Sequence, residues 1–365
     1  MKILHLNNYF ETPLYCNLLK AIGNSIYQFV FYPYLKDWTV NYNFDGYNIQ
    51  YVQKGILNIF TRTFYFYKLI KQYYSLNRST NIKQFDVIHA HTLFSDGGLA
   101  YILYKIYKIP YIVAVRNTDN DYFLTYKPWL KWWGKLVLKS SNKIICITPQ
   151  IKKDLEKNYN CIFNSKIEII PNGIDGVFFK DIIVPKHYNN IDKLNLLFIG
   201  RIIQGKNIDK LINYVSRKDN IILNIVGEGD LYIEKCVKKA SVKYANINYF
   251  GAENDKLKLI KYYRDNDIFI TTSYRETFGL VYIESMANGT PVIYSKGTGI
   301  DGLFELNEVG CAIDPDNFKE WDEAIEYIVK NYNNISENCI NNSKEFDWGK
   351  IAAKYVEMYY KITIK

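Results

Sequence analysis

Residues 268–295 read Ile268-Phe269-Ile270-Thr271-Thr272-Ser273-Tyr274-Arg275-Glu276-Thr277-Phe278-Gly279-Leu280-Val281-Tyr282-Ile283-Glu284-Ser285-Met286-Ala287-Asn288-Gly289-Thr290-Pro291-Val292-Ile293-Tyr294-Ser295. The first run is apolar on both faces, as in a parallel strand covered by helices. A helix is predicted from near Gly279 through Met286. Asn288-Gly289 and Pro291 then break the chain, and Val292–Ser295 restarts it as a strand. Strand, helix and strand in this order build a parallel sheet, with the polar stretch Tyr274–Gly279 lying at the carboxyl end of its first strand.

The same alternation extends outward in both directions. Before residue 180 the short apolar runs are MKILHL, YQFVFYP, FDVIHAH, PYIVAV and KIICIT; after it they are LNLLFIG, IILNIVG, IFITTS and PVIYS. Periodic segments such as Asp209–Val215 and Tyr232–Tyr244 lie between them. Two series of βαβ units predict two doubly wound α/β domains, a division that suits a chain of 365 residues. The segment Ile169-Ile170-Pro171-Asn172-Gly173-Ile174-Asp175 ends the first series with Pro and Asn-Gly turn chemistry. A linker is expected at about 176–193. Trp348, Ile351, Tyr355 and Tyr359 recur at helical spacing and predict a last helix over Asp347–Ile362. The expected domains are therefore 1–180, 181–346 and a terminal helix within 347–365. Ligands of open α/β sheets bind at the carboxyl ends of the strands, so the expected site is a cleft between two facing domains.

Composition narrows the chemistry. The six cysteines are scattered without a CxxC pair and there are only four histidines, so neither a disulfide framework nor a metal site is expected. No run of about 18 apolar residues occurs, and MKILHLNN reads as a strand and not a leader, so the expected location is the cytoplasm. Residues 1–180 carry twice as many basic as acidic side chains, whereas the remainder is close to balanced. That asymmetry points to an anionic partner. In Tyr126–Lys139, YKPWLKWWGKLVLK, tryptophans interleave with lysines, a pattern that fits either an anionic bilayer surface or a helix burying its aromatic face.

Two strand-end loops carry the candidate chemistry. Gly200-Arg201-Ile202-Ile203-Gln204-Gly205-Lys206 follows the strand LNLLFI. Its Arg fork and Lys point charge suit a diphosphate. In the second loop, Glu276 precedes the helix and Glu284 lies within it. In a continuous helix the two would stand ~12 Å apart along the axis, too far to share a proton but well placed to hold opposite ends of an extended ligand. Glu284 offers two acceptor oxygens to a ribose diol, and the amides that start the helix form an anion site.

GRIIQGKN, VGEGD and RETFGLVYIESMANGTPVI, in that order and preceded by IIPNGID, resemble the retaining glycosyltransferases of family 4, which have the GT-B fold. Glu276 and Glu284 match that family's E-x7-E pattern, and Arg201 and Lys206 match its diphosphate-binding pair. The resemblance implies a metal-independent, retaining transfer from a nucleotide-diphosphate sugar, with no further cofactor. It makes Glu276, Arg201 and Lys206 the catalytic group. The donor would be held by Gly200, Arg201, Lys206, Glu276, Thr277, Phe278, Gly279, Leu280 and Glu284. The terminal helix would cross back to the first domain. The acceptor implied is a saccharide, lipid-linked, in cell-envelope polysaccharide synthesis, with the enzyme peripheral on the inner face of the membrane.

Two positions depart from the family pattern. The loop after the first strand, Asn8–Pro13, lacks the usual glycine pair. Arg116-Asn117-Thr118-Asp119 stands where a histidine is usual. Arg116, Asn117, Asp119 and His91 are the acceptor-side candidates; the alternative is a structural Arg116 paired with Asp119 or Asp121. His89 and His91 share one face of a strand and fit either an acceptor wall or a structural pair. Gly227-Glu228-Gly229 lacks the full G-x-G-x-x-G of a nicotinamide site. A nucleotide-sugar epimerase or phosphorylase-like enzyme of the same fold remains open. A basic nucleic-acid-binding protein is the third reading, but no RNA-binding signature supports it.

Overall fold

A computed structural model describes residues 1–35, 41–181, 183–186 and 193–363, without the Asp121 side chain. Much of the expected linker, 182 and 187–192, lies outside the described residues. The chain divides into two compact units, one holding Met1–Ile147, Ile151–Gly173 and Trp348–Lys365, the other Thr148–Gln150 and Ile174–Asp347.

The first unit contains β1 (Lys2–Leu6), α1 (Pro13–Ile22), β2 (Tyr27–Leu35), β3 (Ile49–Leu57), α2 (Ile59–Thr63), α3 (Tyr65–Ser79), β4 (Val87–Ala90), α4 (Gly97–Tyr107), β5 (Tyr111–Val115), α5 (Lys131–Ser140), β6 (Lys143–Cys146), α6 (Pro149–Tyr159) and β7 (Ile167–Ile169). Its seven strands are parallel in the order β3-β2-β1-β4-β5-β6-β7. The central strands are buried along their length because they are apolar on both faces, as YIVAV of β5 shows.

The second unit contains β8 (Leu194–Ile199), α7 (Ile208–Val215), β9 (Ile221–Val226), α8 (Leu231–Lys243), β10 (Ile247–Tyr249), α9 (Lys256–Asp265), β11 (Ile268–Ile270), α10 (Leu280–Ala287), β12 (Val292–Ser295), β13 (Gly310–Ile313), α11 (Phe318–Lys330) and α12 (Tyr332–Ser343). Its six parallel strands run β10-β9-β8-β11-β12-β13. In both sheets the strand order reverses beside the first strand of the unit, the switch point at which open α/β sheets bind ligands.

The terminal helix α13 (Trp348–Thr363) belongs to the first unit. Trp348, Ile351, Tyr355, Met358 and Tyr359 form its buried stripe and join a core with Leu18, Ile22, Ile112 and Ile145. Each such side chain contributes about 1.5–3 kcal/mol by leaving water. Gly173 is required against this helix, since a Cβ there would come within 2.6 Å of the Trp348 ring. The chain changes units at Gly173–Ile174, ahead of the expected 180/181 boundary. The reason lies in the segment that follows. Ile174 bridges to Asp347, and Phe178 meets the Tyr263 ring at 6.3 Å, so both side chains belong to the second core.

Candidate donor site

In the second unit the ends of β8 and β9 meet almost without clearance. A Cβ on Gly227, whose φ is +142°, would lie 1.9 Å from the Gly200 carbonyl oxygen, and one on Gly229 would lie 2.3 Å from that of Ile202. The Ile202 N–H donates to Glu228 O at 2.9 Å and the Asp230 N–H to Ile202 O at 2.8 Å, which fixes the loop carrying Arg201. Asp230 is spent on capping α8, accepting from the Tyr232 and Ile233 amides. Glu228 and Asp230 therefore serve to hold this strand end.

The loop then turns through Gln204–Lys206 into Asn207, which adopts φ +51°. The Asn207 side chain donates to Thr272 O at 2.7 Å and the Thr272 hydroxyl returns to Asn207 O at 3.2 Å. These bonds staple the loop after β8 to the end of β11, and they place the Lys206 ammonium in an ion pair with the Glu276 carboxylate. Both side chains of that pair are largely shielded, while Arg201 is exposed.

Glu276 is held by its own backbone. Its N–H donates to the Thr298 hydroxyl at 2.6 Å, which donates back to Glu276 O at 2.9 Å; the Gly299 N–H reaches the same oxygen at 3.0 Å. Thr277 is exposed at the following position, and Phe278 is buried. Gly279 has φ +81° and starts α10, leaving the amides that head this helix beside Glu276.

Glu284 lies half-buried one turn from the end of α10 and accepts from the Tyr263 hydroxyl at 2.9 Å. Burial raises its pKa to about 7, against the opposing pull of that hydrogen bond and of Lys256. Lys256 in turn pairs with Asp175 of the IIPNGID segment. The folded chain thus keeps a proton on Glu284 that the unfolded chain releases, so this residue costs stability as pH rises from the ordinary carboxylate range to about 7. Binding a ribose diol has the opposite sign, because it needs the carboxylate as acceptor. Affinity for a nucleoside diphosphate is expected to fall below pH 7 and level off above it. Glu284→Gln is expected to reduce that dependence to the part that comes from ionisation of the ligand's terminal phosphate. Calorimetric titrations between pH 5.5 and 8.5 check both.

The structure therefore gathers Arg201, Lys206, Glu276, Thr277, Gly279 and Glu284 along the ends of β8 and β11 and the helix that follows. Tyr263, Asn207 and Thr298 were not anticipated. Thr298 sits in Gly297-Thr298-Gly299 directly after a strand, a signal of the same kind as the others; Tyr263 carries none, since its role depends on α9 facing α10.

The acceptor-side candidates fare differently. His91 is 1% exposed and stacks on His89 with ring centroids 3.9 Å apart, while its Nε2 meets His5 Nδ1 at 3.1 Å. Burial, then the neighbouring histidines and last Arg116, keep His89 and His91 neutral, with pKa values well below the usual imidazole range. Both are interior residues of the first sheet, as the structural-pair alternative has them. Asp119 is interior as well. Its carboxylate accepts from the Leu93, Phe94 and Arg116 amides and is fully buried. Arg116 meets Asp119 through its backbone N–H. Its guanidinium donates to His91 O and Asn172 Oδ1 at 3.4 and 3.3 Å, over the Tyr15 ring. Asn117 is half-buried. Instead of turning on glycines, the loop Asn8–Pro13 is pinned by Phe10, fully buried against Tyr32 and Tyr42, and by the Asn8 amide donating to Asp96.

The chain thus consists of two parallel doubly wound units, one ending its strands in paired cations and carboxylates. The model of the glycosyltransferase family 4 matches residues 38–176 and that of the glycosyl transferases group 1 matches 179–346. The chain belongs to the family 4 glycosyltransferases. It is 27% identical over 285 residues to an uncharacterized glycosyltransferase of Methanocaldococcus jannaschii, covering 76% of both chains. It is also 27% identical over 250 residues to the alpha-monoglucosyldiacylglycerol synthase of Streptococcus pneumoniae, covering 62% of this chain and 56% of that one. Among solved structures it matches HepE of Anabaena, crystallised with UDP, with TM-score 0.72 and 14% identity over 99% of this chain and all of that one.

Proposed function

We propose that this glycosyltransferase takes its sugar from a nucleoside diphosphate and passes it to a saccharide acceptor, lipid-linked and destined for the cell envelope, with retention of anomeric configuration and without a metal ion. The observation that carries the reading is the Lys206–Glu276 pair, brought together from two neighbouring strand ends, with the exposed Arg201 on the same loop as Lys206. A diphosphate there meets two cations, which offset the charge that grows on it as the sugar departs. Glu284 accepts from the ribose hydroxyls, and Glu276, swinging from Lys206, faces the sugar. The amides over Phe278, Gly279 and Leu280 take sugar and phosphate oxygens. In the reaction the bond from C1 to the diphosphate oxygen breaks and the acceptor oxygen bonds C1 on the same face. The acceptor proton passes to the departing phosphate.

The relative from Streptococcus pneumoniae is by its name a synthase of a glucosyl lipid, and HepE was crystallised with UDP. A uridine donor and a lipid acceptor are therefore the first to test. No helix among the described residues is long and apolar enough to cross a membrane, so access to such an acceptor falls to surface features: Trp129 and Trp132 are 59% and 55% exposed among the lysines of Tyr126–Lys139. NMR of the product formed from an α-linked donor in EDTA is expected to show a new α-glycosidic bond. A β-linked product or a rate abolished by EDTA contradicts the mechanism, and an isomerised donor with no transfer restores the epimerase reading.

A further inference from the structure

The first unit contains a cavity of about 460 Å³ that no residue of the donor site touches. It lies at the carboxyl ends of its strands, between Asn8 after β1, Pro33–Leu35 of β2, Leu57 of β3, Ser95 after β4 and Thr118 after β5. Its wall carries three cations, Arg62, Lys68 and Lys127, against one carboxylate, Glu11. Lys127 is tied down, its ammonium donating to Arg62 O at 2.6 Å. Lys68 is not. It is 9% exposed, lines the cavity, and among the described residues its ammonium has no hydrogen-bond or ion-pair partner. Burial disfavours its charge and the nearby buried Asp96 only partly offsets this, so an entering anion that bonds the ammonium directly recovers part of the cost.

The same short helix that supplies Arg62 also opens onto an apolar surface. α2 is set by a capping box at Asn58, whose side chain accepts from the Thr61 amide while the Thr61 hydroxyl serves the Asn58 N–H. This turns Arg62 and Thr61 to the cavity and Phe60 to an open groove shared with Phe64, Phe66, Tyr67 and Trp129. Phe60 and Phe64 are 62% and 60% exposed, and Ile59 beside them 75%. Tyr65 lines both the cavity and the groove. Aromatic residues massed in the open are uncommon unless something covers them. A cationic cavity and an apolar groove that share Tyr65 as a border suit an anionic head carried on a hydrocarbon tail.

We propose that the first unit binds a phosphate-bearing amphiphile, its phosphate between Arg62, Lys68 and Lys127 and its hydrocarbon along Phe60, Phe64 and Trp129. The inference rests on the lipid-linked acceptor proposed above and supplies the place and chemistry by which such an acceptor is held. The test uses the full chain with farnesyl phosphate below its micelle concentration, read by the fluorescence of Trp129 and its neighbours. Farnesyl phosphate is expected to bind saturably, with farnesol and inorganic phosphate at least tenfold weaker. Arg62→Gln and Phe64→Ser change exposed residues, so both fold, and each is expected to weaken binding at least tenfold; Lys68→Met is expected to do the same. Equal affinity for farnesol overturns the cationic half, full competition by equimolar inorganic phosphate overturns the apolar half, and unchanged affinity in Arg62→Gln and Phe64→Ser overturns the site. If this pattern holds while no nucleotide sugar is turned over, the amphiphile site stands and the transferase reading falls.

Discussion

Replacing Lys206 with alanine is expected to lower kcat about 100- to 1000-fold, the range found when one preorganised group facing transition-state charge is removed. Lys206 is held by the turn into Asn207 and by the bonds between Asn207 and Thr272, so its charge is in place before the diphosphate begins to leave. Its partner Glu276 keeps it there in the empty site. Arg201→Ala is expected to match the effect, and because Arg201 is exposed that change isolates the kinetic loss from any loss of stability. Steady-state rates and melting temperatures of the two variants check this together. Near-normal kcat in both removes the charge-neutralisation role.

The second large effect is on the fold. Gly227→Ala places a methyl 1.9 Å from the Gly200 carbonyl oxygen at a φ of +142°, a conformation that L side chains rarely adopt. The obstacle is backbone, not the end of a flexible side chain, so β9 has to leave β8. Strain of this kind costs about 1–3 kcal/mol before any clash is counted, and the loop bearing Arg201 moves with it. A fall in melting temperature and loss of nucleotide binding are expected together. Gly205→Ala, with open space around its Cβ, is the control and is expected to melt within experimental error of the wild type. Equal melting temperatures for Gly227→Ala and the wild type contradict the close approach.

Most of the fold could be read directly from the residues, and the exceptions have physical reasons. Strands such as YIVAV and LNLLFI announce themselves because both faces are covered and, Asn195 apart, their residues are largely apolar. β3, reading IQYVQKGIL, is the outer strand of its sheet and mixes Gln50, Gln53 and Lys54 with apolar residues. β10 is three residues long, and β13 begins with glycine. None of these carries enough apolar length to stand out. Each is instead held by parallel pairing with its neighbouring strand.

The candidate donor loops stand out in the sequence for a related reason. Their residues lie close together in sequence directly after strands, so strand-end logic and motif spacing point to the same places. Tyr263 comes from a different helix, and nothing in its sequence surroundings marks it. The burial of the acceptor-side candidates was less legible, for one reason. Alternation shows that His89 and His91 share a face, but it does not reveal that Tyr355 and Tyr359 of α13 cover that face. The carboxylate of Asp119 looked like a ligand group because its three amide donors, from Leu93, Phe94 and Arg116, become neighbours only in the folded chain.

The central claim is that Arg201, Lys206, Glu276 and Glu284 together hold a nucleoside diphosphate. Calorimetric titration of UDP, ADP and GDP into the wild type, Arg201→Ala and Glu284→Ala, at pH 8 with EDTA, tests it most directly. One of the three nucleotides is expected to bind the wild type at a single site and to lose at least tenfold in affinity, about 1.4 kcal/mol, in each variant. Binding of none of them, or equal binding to all three proteins, contradicts the claim.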